Sequence, residues 1–178
     1  MTRGPIGMLL GVAVASCILA GAVGAQSSGS DPFIGTWKLN VERSVYMPGP
    51  RPPADLVTLY QFSTLEGGWN RFMLTSVNAQ GEPTLQILTF KVDGQRYPVH
   101  DQNTLGRFMA TGQQTNLTRS YRRIDASTVE FTSFTDGVAG IPQVRSVAPD
   151  GRSYTDTARG TNAQGVAVSN VTVWDRVR

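Results

Sequence analysis

The chain has 178 residues, of which 40% are apolar and 16% are charged, which suits one packed domain preceded by a short targeting segment. Its net charge of +3 comes mainly from arginines interspersed with acids, so no basic run of the kind that binds nucleic acid is present. A single cysteine excludes a disulfide framework and a cysteine-based metal site.

The amino-terminal segment reads as a secretory signal peptide. Arg3 precedes an apolar run over residues 6–23, and small residues allow cleavage after Ala25. Residues 1–25 are therefore predicted as the signal peptide, residues 26–30 as a flexible leader, and residues 31–178 as the mature domain. The predicted location is periplasmic or secreted, with no transmembrane span in the mature chain.

Cys17 supports an alternative form of export. The preceding Val-Ala-Ser loosely resembles a bacterial lipobox, in which the cysteine is lipidated and becomes the new amino terminus. Residues 18–23 remain apolar, whereas a lipoprotein usually turns polar after its cysteine. Both routes leave the folded domain without a disulfide.

The mature domain is predicted to begin with a short helical turn followed by its first strand. Asp31 and Pro32 form an N-cap and first helical position, which predicts one helical turn through Phe33. A strand then follows from residue 35, with Trp37 and Leu39 on one face. A proline-rich loop over residues 43–55 separates it from the next strand.

The rest of the chain alternates short strands with turn residues. Asp-Gly and Asn-x-x-Gly turns recur at regular spacing, and no long helical periodicity interrupts them. Residues 101–114 are predicted as a loop. The predicted strands after the first cover residues 56–65, 69–77, 84–92, 96–100, 115–124, 128–135, 143–147, 152–159 and 167–177. This pattern predicts an all-β fold, an up-and-down antiparallel barrel of about 8–10 strands.

Several segments carry a family resemblance. Gly35-Thr36-Trp37 is similar to the Gly-x-Trp signature of the lipocalins and fatty-acid-binding proteins, the calycin group. The mature chain more closely resembles a family of bacterial exported lipocalin-like proteins. The segments that carry this resemblance are residues 35–40, 44 with 48–50, 93–94 with 97–99, 123–125 with 128–130, 149–151, 160–161 and 173–176. The resemblance implies a lipocalin-like up-and-down barrel and names no ligand.

One departure from the calycin pattern concerns the last strand. Fatty-acid-binding proteins end with an Arg-x-Tyr that holds the ligand carboxylate. The aligned positions here are Thr172 and Trp174, so that clamp is absent. Resemblance to lipocalins also implies that Gly35 and Trp37 close one barrel end, with Arg176 stacked on the indole.

Arg119 is the candidate for an anion-binding residue. If its strand neighbours Leu117 and Tyr121 face the interior, Arg119 faces it too. A buried guanidinium needs an acid such as Asp156 or Glu130, or an anionic ligand. The alternative orientation places Arg119 at the rim with its charge in water.

No catalytic or metal site is predicted. His100, the single histidine, precedes Asp101 at the start of a loop, but adjacency in sequence does not make a catalytic pair. Neither a Gly-x-Ser-x-Gly elbow nor a His-Glu-x-x-His motif occurs. The sequence therefore favours a protein that is not an enzyme and needs no cofactor.

Two functions fit these observations. The first is an exported barrel that binds a small, largely apolar ligand in its interior. The candidate ligand-binding residues are Trp37, Tyr60, Phe62, Phe90, Arg119, Tyr121, Tyr154 and Trp174. The second is a structural or protein-interaction barrel of the cell envelope, with a filled core and no ligand; its partner is unknown. Nucleic acid is not an expected partner of either.

Overall fold

The computed structural model of the protein describes residues 31–53, 58–77 and 80–177. The predicted signal peptide, leader and Cys17 lie outside these residues. Within the described ranges, no helix combines the length and apolarity needed to cross a membrane.

Twelve strand segments and one α-helix make up the described chain. The strands are β1 (Gly35–Val45), β2 (Thr58–Thr64), β3 (Asn70–Val77), β4 (Pro83–Phe90), β5 (Arg96–Pro98), β6 (His100–Asp101), β7 (Leu117–Asp125), β8 (Thr128–Thr135), β9 (Val138–Ala139), β10 (Gln143–Val147), β11 (Ser153–Thr161) and β12 (Ala167–Arg176). Helix α1 is Gln102–Thr111, and a single 3-10 turn spans Glu66–Gly68.

The strands form one antiparallel sheet that curls into a nearly closed barrel. Their order is β5-β7-β8-β10-β11-β12-β1-β2-β3-β4-β6, with β9 attached to β8. Because β5 and β6 follow each other around Val99, one short stretch bridges β7 on one side and β4 on the other. The predicted all-β antiparallel barrel is confirmed.

The number of segments exceeds the predicted eight to ten for two local reasons. The predicted strand over residues 96–100 changes partner at Val99, which divides it into β5 and β6. The short strand β9 adds a hairpin to the end of β8 before β10 begins. Between these irregularities, neighbouring strands follow each other in the chain, as the turn spacing predicted.

The two ends of the barrel differ. At the end that we call the base, β1 begins and β12 ends, and Phe33 is buried there. The predicted helical turn before β1 is a single hydrogen-bonded turn, with the Ile34 amide donating to the Asp31 carbonyl at 2.9 Å. At the opposite end, the mouth, β10 begins and β11 ends.

Helix α1 corrects the loop predicted over residues 101–114. Asp101 is its N-cap and accepts hydrogen bonds from the backbone amides of Asn103 and Thr104, which closes a capping box. Gly112 ends the helix in the left-handed conformation, with φ of 73°. The helix lies beside β6, where the ring of Phe108 is 5.2 Å from that of His100.

Candidate functional site

Arg176 and Trp37 seal the base. The guanidinium carbon lies 4.0 Å from the centre of the Trp37 ring, within cation–π range. Arg176 also donates to the backbone carbonyls of Pro32 and Ile34, each at 2.8 Å, and to that of Gly151 at 2.7 Å. Every nitrogen of this arginine is therefore engaged in closing the barrel.

Gly35 makes room for that arginine. A Cβ atom at this position would lie 2.6 Å from Nη1 of Arg176, and the backbone φ of 139° disfavours other residues. The Gly-x-Trp segment thus has a physical function here, since the glycine admits the guanidinium that covers the indole.

The aromatic residues predicted to bind a ligand lie on the interior face and pack against one another. Tyr60 stacks on Trp174 with ring centres 3.9 Å apart, and Phe90 stacks on Tyr121 at 4.2 Å. The remaining three, Trp37, Phe62 and Tyr154, belong to the same buried cluster. These rings fill the barrel from the base upward.

A buried ion pair lies within this aromatic cluster. Arg145 donates from Nε and Nη2 to the two carboxylate oxygens of Asp156, both at 2.7 Å. Arg145 is 1% exposed and Asp156 is 4% exposed. Bidentate geometry of this kind is among the strongest that charged side chains make. The pair joins directly opposed residues of β10 and β11.

Four aromatic rings surround the Arg145 guanidinium. Its central carbon lies 4.6 Å from the ring centre of Tyr154, 4.7 Å from Phe62, 5.0 Å from Phe131 and 5.4 Å from Tyr60. Burial, the largest single effect, acts to lower the pKa of Arg145, but the charge and hydrogen bonds of Asp156 together with the nearby Tyr154 and Tyr121 outweigh it, so the pKa is raised. Arg145 therefore keeps its positive charge inside the barrel.

Tyr60 and Tyr154 remain protonated beside this pair. Burial, followed by the nearby charge of Asp156, raises the pKa of Tyr60 to about 12. Burial likewise raises the pKa of Tyr154 well above its ordinary value. Both hydroxyls therefore act as neutral polar groups at physiological pH.

The free energy of unfolding is expected to fall as the pH rises from about 10 to about 12. An unfolded tyrosine loses its proton near pH 10, while folded Tyr60 retains it to about pH 12, so alkali favours the unfolded chain. The contribution of Tyr60 is up to about 3 kcal/mol, present in full below pH 10. Urea unfolding of wild type and Tyr60→Phe at several pH values measures it. Equal alkaline losses in the two proteins would contradict this assignment.

The cavity inside the base is small. Its volume is about 30 Å³, and Phe33, Phe62, Phe90 and Arg145 are among the residues that line it. Ligand pockets usually measure about 300–1,000 Å³, whereas a water needs about 10–15 Å³. This part of the barrel is therefore filled by side chains.

Toward the mouth, the side chains on the interior face are smaller and more polar than the aromatic rings of the base. These positions alternate with the strand residues that face outward, one or two steps above the aromatic cluster. The hydroxyls of Thr58 and Ser76, for example, lie 2.7 Å apart across β2 and β3. The set comprises Thr58, Leu74, Ser76, Gln86, Leu117, Ser133, Gln143 and Thr172. All except Thr58 are partly exposed, so the upper interior is reached by solvent.

A larger cavity opens at the mouth. It has a volume of about 480 Å³ and lies where β10 begins and β11 ends. Its lining includes Ser133, Ile141, Gln143, Ala158 and Gly160. Ser133, Gln143 and Ala158 belong to the interior face, and most of the other lining residues lie between β9 and β10 or at the end of β11.

Arg119 lies on the interior face, directly opposite Ser133 of the cavity lining. Its Nε donates to the Ser133 hydroxyl at 3.0 Å, and its Nη1 lies 3.5 Å from the Tyr121 hydroxyl. The guanidinium carbon is 5.5 Å from the ring centres of both Phe72 and Phe131. Among the described residues, Arg119 has no carboxylate partner.

Neither acid considered for Arg119 is bound to it. Asp156 is the partner of Arg145 inside the barrel, and Glu130 pairs with Arg122 at 3.1 Å on the outside. The sequence analysis did not identify Arg145. Because Arg145 is two residues from Val147 on β10, the two side chains lie on the same face, and this spacing could have assigned Arg145 to the interior.

His100 is buried against helix α1. Its Nδ1 has no hydrogen-bond partner in the described part of the chain. The neighbouring Asp101 carboxylate caps the helix, and these hydrogen bonds, first that from the Thr104 amide, lower its pKa. No group of three or more His, Cys, Asp or Glu side chains within residues 31–53, 58–77 and 80–177 is placed to hold a metal ion.

Comparisons with known proteins bear on the fold. No family model and no curated protein matches this chain. A point mutant of the fluorescent protein UnaG matches with a TM-score of 0.50 and 14% identity, over 83% of this chain and 97% of that one. The fold is a calycin-like β-barrel. A zebrafish ileal bile acid-binding protein complexed with cholic acid matches this calycin-like barrel with a TM-score of 0.48 and 17% identity, over 82% and 99% of the two chains.

Proposed function

We propose that this protein binds a small, largely apolar molecule inside its calycin-like barrel. The observation that carries the proposal is the cavity of about 480 Å³ at the mouth, above a base filled by aromatic rings. That volume lies within the range of about 300–1,000 Å³ typical of small-molecule pockets.

The walls below the mouth support an apolar occupant. Leu39, Leu74 and Leu117 are partly exposed on the interior face and pack against the buried core. Their contact with an apolar molecule would remove this surface from water, which is favourable by about 25 cal/mol per Å². The sealed base leaves the mouth as the route for ligand exchange.

Titration with a neutral apolar probe tests the proposal. N-phenylnaphthylamine, which fluoresces more strongly away from water, is expected to bind saturably at about one equivalent because the mouth cavity has the volume of a single small-molecule site. Ala158→Leu, which intrudes into the mouth cavity, is expected to weaken binding by about tenfold or more.

The same substitution at the base provides the control. Ala126 is exposed in the turn between β7 and β8, so Ala126→Leu should leave probe binding unchanged. Absence of saturable binding by the wild-type protein, with its β structure intact by circular dichroism, would overturn the proposal.

A filled barrel that binds another protein of the cell envelope is the second candidate. The small volume of the base cavity, about 30 Å³, favours it. Recovery of one stoichiometric protein partner, together with no binding of the apolar probe, would support this function over the first.

We further propose that the chain is exported and belongs with the bacterial lipocalin-like proteins it resembles. The basis is Arg3 and the apolar run over residues 6–23, followed by small residues up to Ala25. The mass of the mature amino terminus distinguishes cleavage before Gln26 from lipidation of Cys17.

A further inference from the structure

We propose that Arg119 binds an acidic group of the ligand, so that the ligand class is an amphipathic anion with an apolar body and one carboxylate or sulfonate. This inference rests on the proposed function and specifies its ligand. It depends on the position of Arg119, on the charges around it and on the groups that hold it.

The guanidinium of Arg119 lies between buried core rings and one residue of the mouth-cavity lining. Arg119 contacts the rings of Phe72 and Phe131, which belong to the filled part of the barrel. It also donates to Ser133, which lines the mouth cavity. An anionic group bound to Arg119 would therefore lie beside Ser133, at the edge of that cavity, with its apolar body in the cavity.

Arg119 has no counter-ion among the described residues, in contrast to Arg145. Arg145, which like Arg119 lies over the ring of Phe131, is neutralised by Asp156 through two hydrogen bonds of 2.7 Å. No carboxylate among the described residues is within ion-pair distance of Arg119. A partly buried cation gains more from an anion than an exposed one, because less water screens the pair.

The neighbouring hydroxyls complete a site for one oxyanion. Ser133 accepts a hydrogen bond from Nε and Tyr121 accepts one from Nη1, so both hydroxyl protons are available for donation. Nη2 of Arg119 has no protein acceptor among the described residues. Together these groups present several donors to one singly charged group.

A pair of related probes isolates the acidic group. Anilinonaphthalene sulfonate and N-phenylnaphthylamine share an aromatic body and differ in the sulfonate. The sulfonated probe is expected to bind more tightly to the wild type. Arg119→Gln should weaken its binding by about tenfold or more, while binding of the neutral probe changes by less than about threefold.

Two further variants define the effect. Arg119→Lys keeps the charge without the planar fork and should retain part of the preference for the sulfonate. Arg122→Gln removes an exposed arginine from the outer face of the same strand, outside the cavity lining, so it controls for net charge and should alter neither affinity by more than about threefold.

A wild-type measurement covers the case in which Arg119→Gln does not fold. Dodecanoate should displace the neutral probe at least about tenfold better than its methyl ester. Equal displacement by the acid and the ester, or equal binding of the two probes, would overturn this inference and leave the proposed function standing. Failure of every probe to bind would overturn both.

Discussion

Asp156→Ala is expected to lower the free energy of unfolding by about 3–5 kcal/mol, because it leaves the Arg145 charge buried without a partner. Arg145 is 1% exposed and lies among four aromatic rings. Its Nη1 already lacks a hydrogen-bond partner within the described residues, so the two bonds to Asp156 provide its compensation. Urea unfolding followed by far-ultraviolet circular dichroism measures the loss.

Two controls separate the buried charge from other effects. Glu130→Ala breaks the pair with Arg122, whose side chains are 32% and 65% exposed, and should cost less than about 1 kcal/mol. The double variant Arg145→Met with Asp156→Leu removes both charges and should lie within about 2 kcal/mol of the wild type. A double variant as unstable as Asp156→Ala would mean that the unpaired charge is not the cause.

Trp37→Ala is expected to cost about 3–5 kcal/mol, the range for removing a buried large aromatic side chain. Trp37 is 0% exposed and meets Tyr154 edge-on, with ring centres 4.8 Å apart. Its indole nitrogen donates to the Phe33 carbonyl at 3.0 Å, and Arg176 covers its ring. The substitution removes the packing that closes the base as well as this hydrogen bond.

Trp69→Ala is the matched control for this substitution. Trp69 is 37% exposed in the turn between β2 and β3 and contacts Tyr97 and Lys91 near the surface. Its loss should cost about 1 kcal/mol or less. Circular dichroism is the required signal because both substitutions alter tryptophan fluorescence. Equal losses for the two variants would show that Trp37 does not hold the base.

Local signals in the sequence predicted the wall of the barrel well. The turn at Asp136 and Gly137 has positive φ at both residues, 50° and 81°, as the Asp-Gly pair predicted. Alternation placed Tyr60 and Phe62 on one face, and both lie in the core cluster or against it. These features depend on neighbours in the chain, which the sequence displays directly.

The sequence carries a signal for helix α1, but its apolar periodicity is too short to predict a helix. Leu105, Phe108 and Met109 give it a short apolar stripe, yet Met109 and Phe108 are exposed and little of the helix is buried. Its ends carried the better signal, since Asp101 caps one end and Gly112 the other.

The buried ion pair could not be predicted because it depends on register. Arg145 and Asp156 face each other only if β10 and β11 pair with the offset that the turn after Val147 imposes. From the sequence alone, Asp156 could equally have been the partner of Arg119 or of Arg145. Which arginine is neutralised, and which is left for an anion, is decided by strand pairing across the barrel.

The first strand and the last strand are partners. β1 pairs with β12, and Trp37 is opposite Arg176 in that pairing. A polypeptide leaving the ribosome can form its internal hairpins early, but its ring cannot be completed until the final strand has emerged. Joining the ends requires closure of a loop nearly as long as the domain, which is the slow kind of contact in folding. Closure of the cylinder therefore waits for β12 to become available.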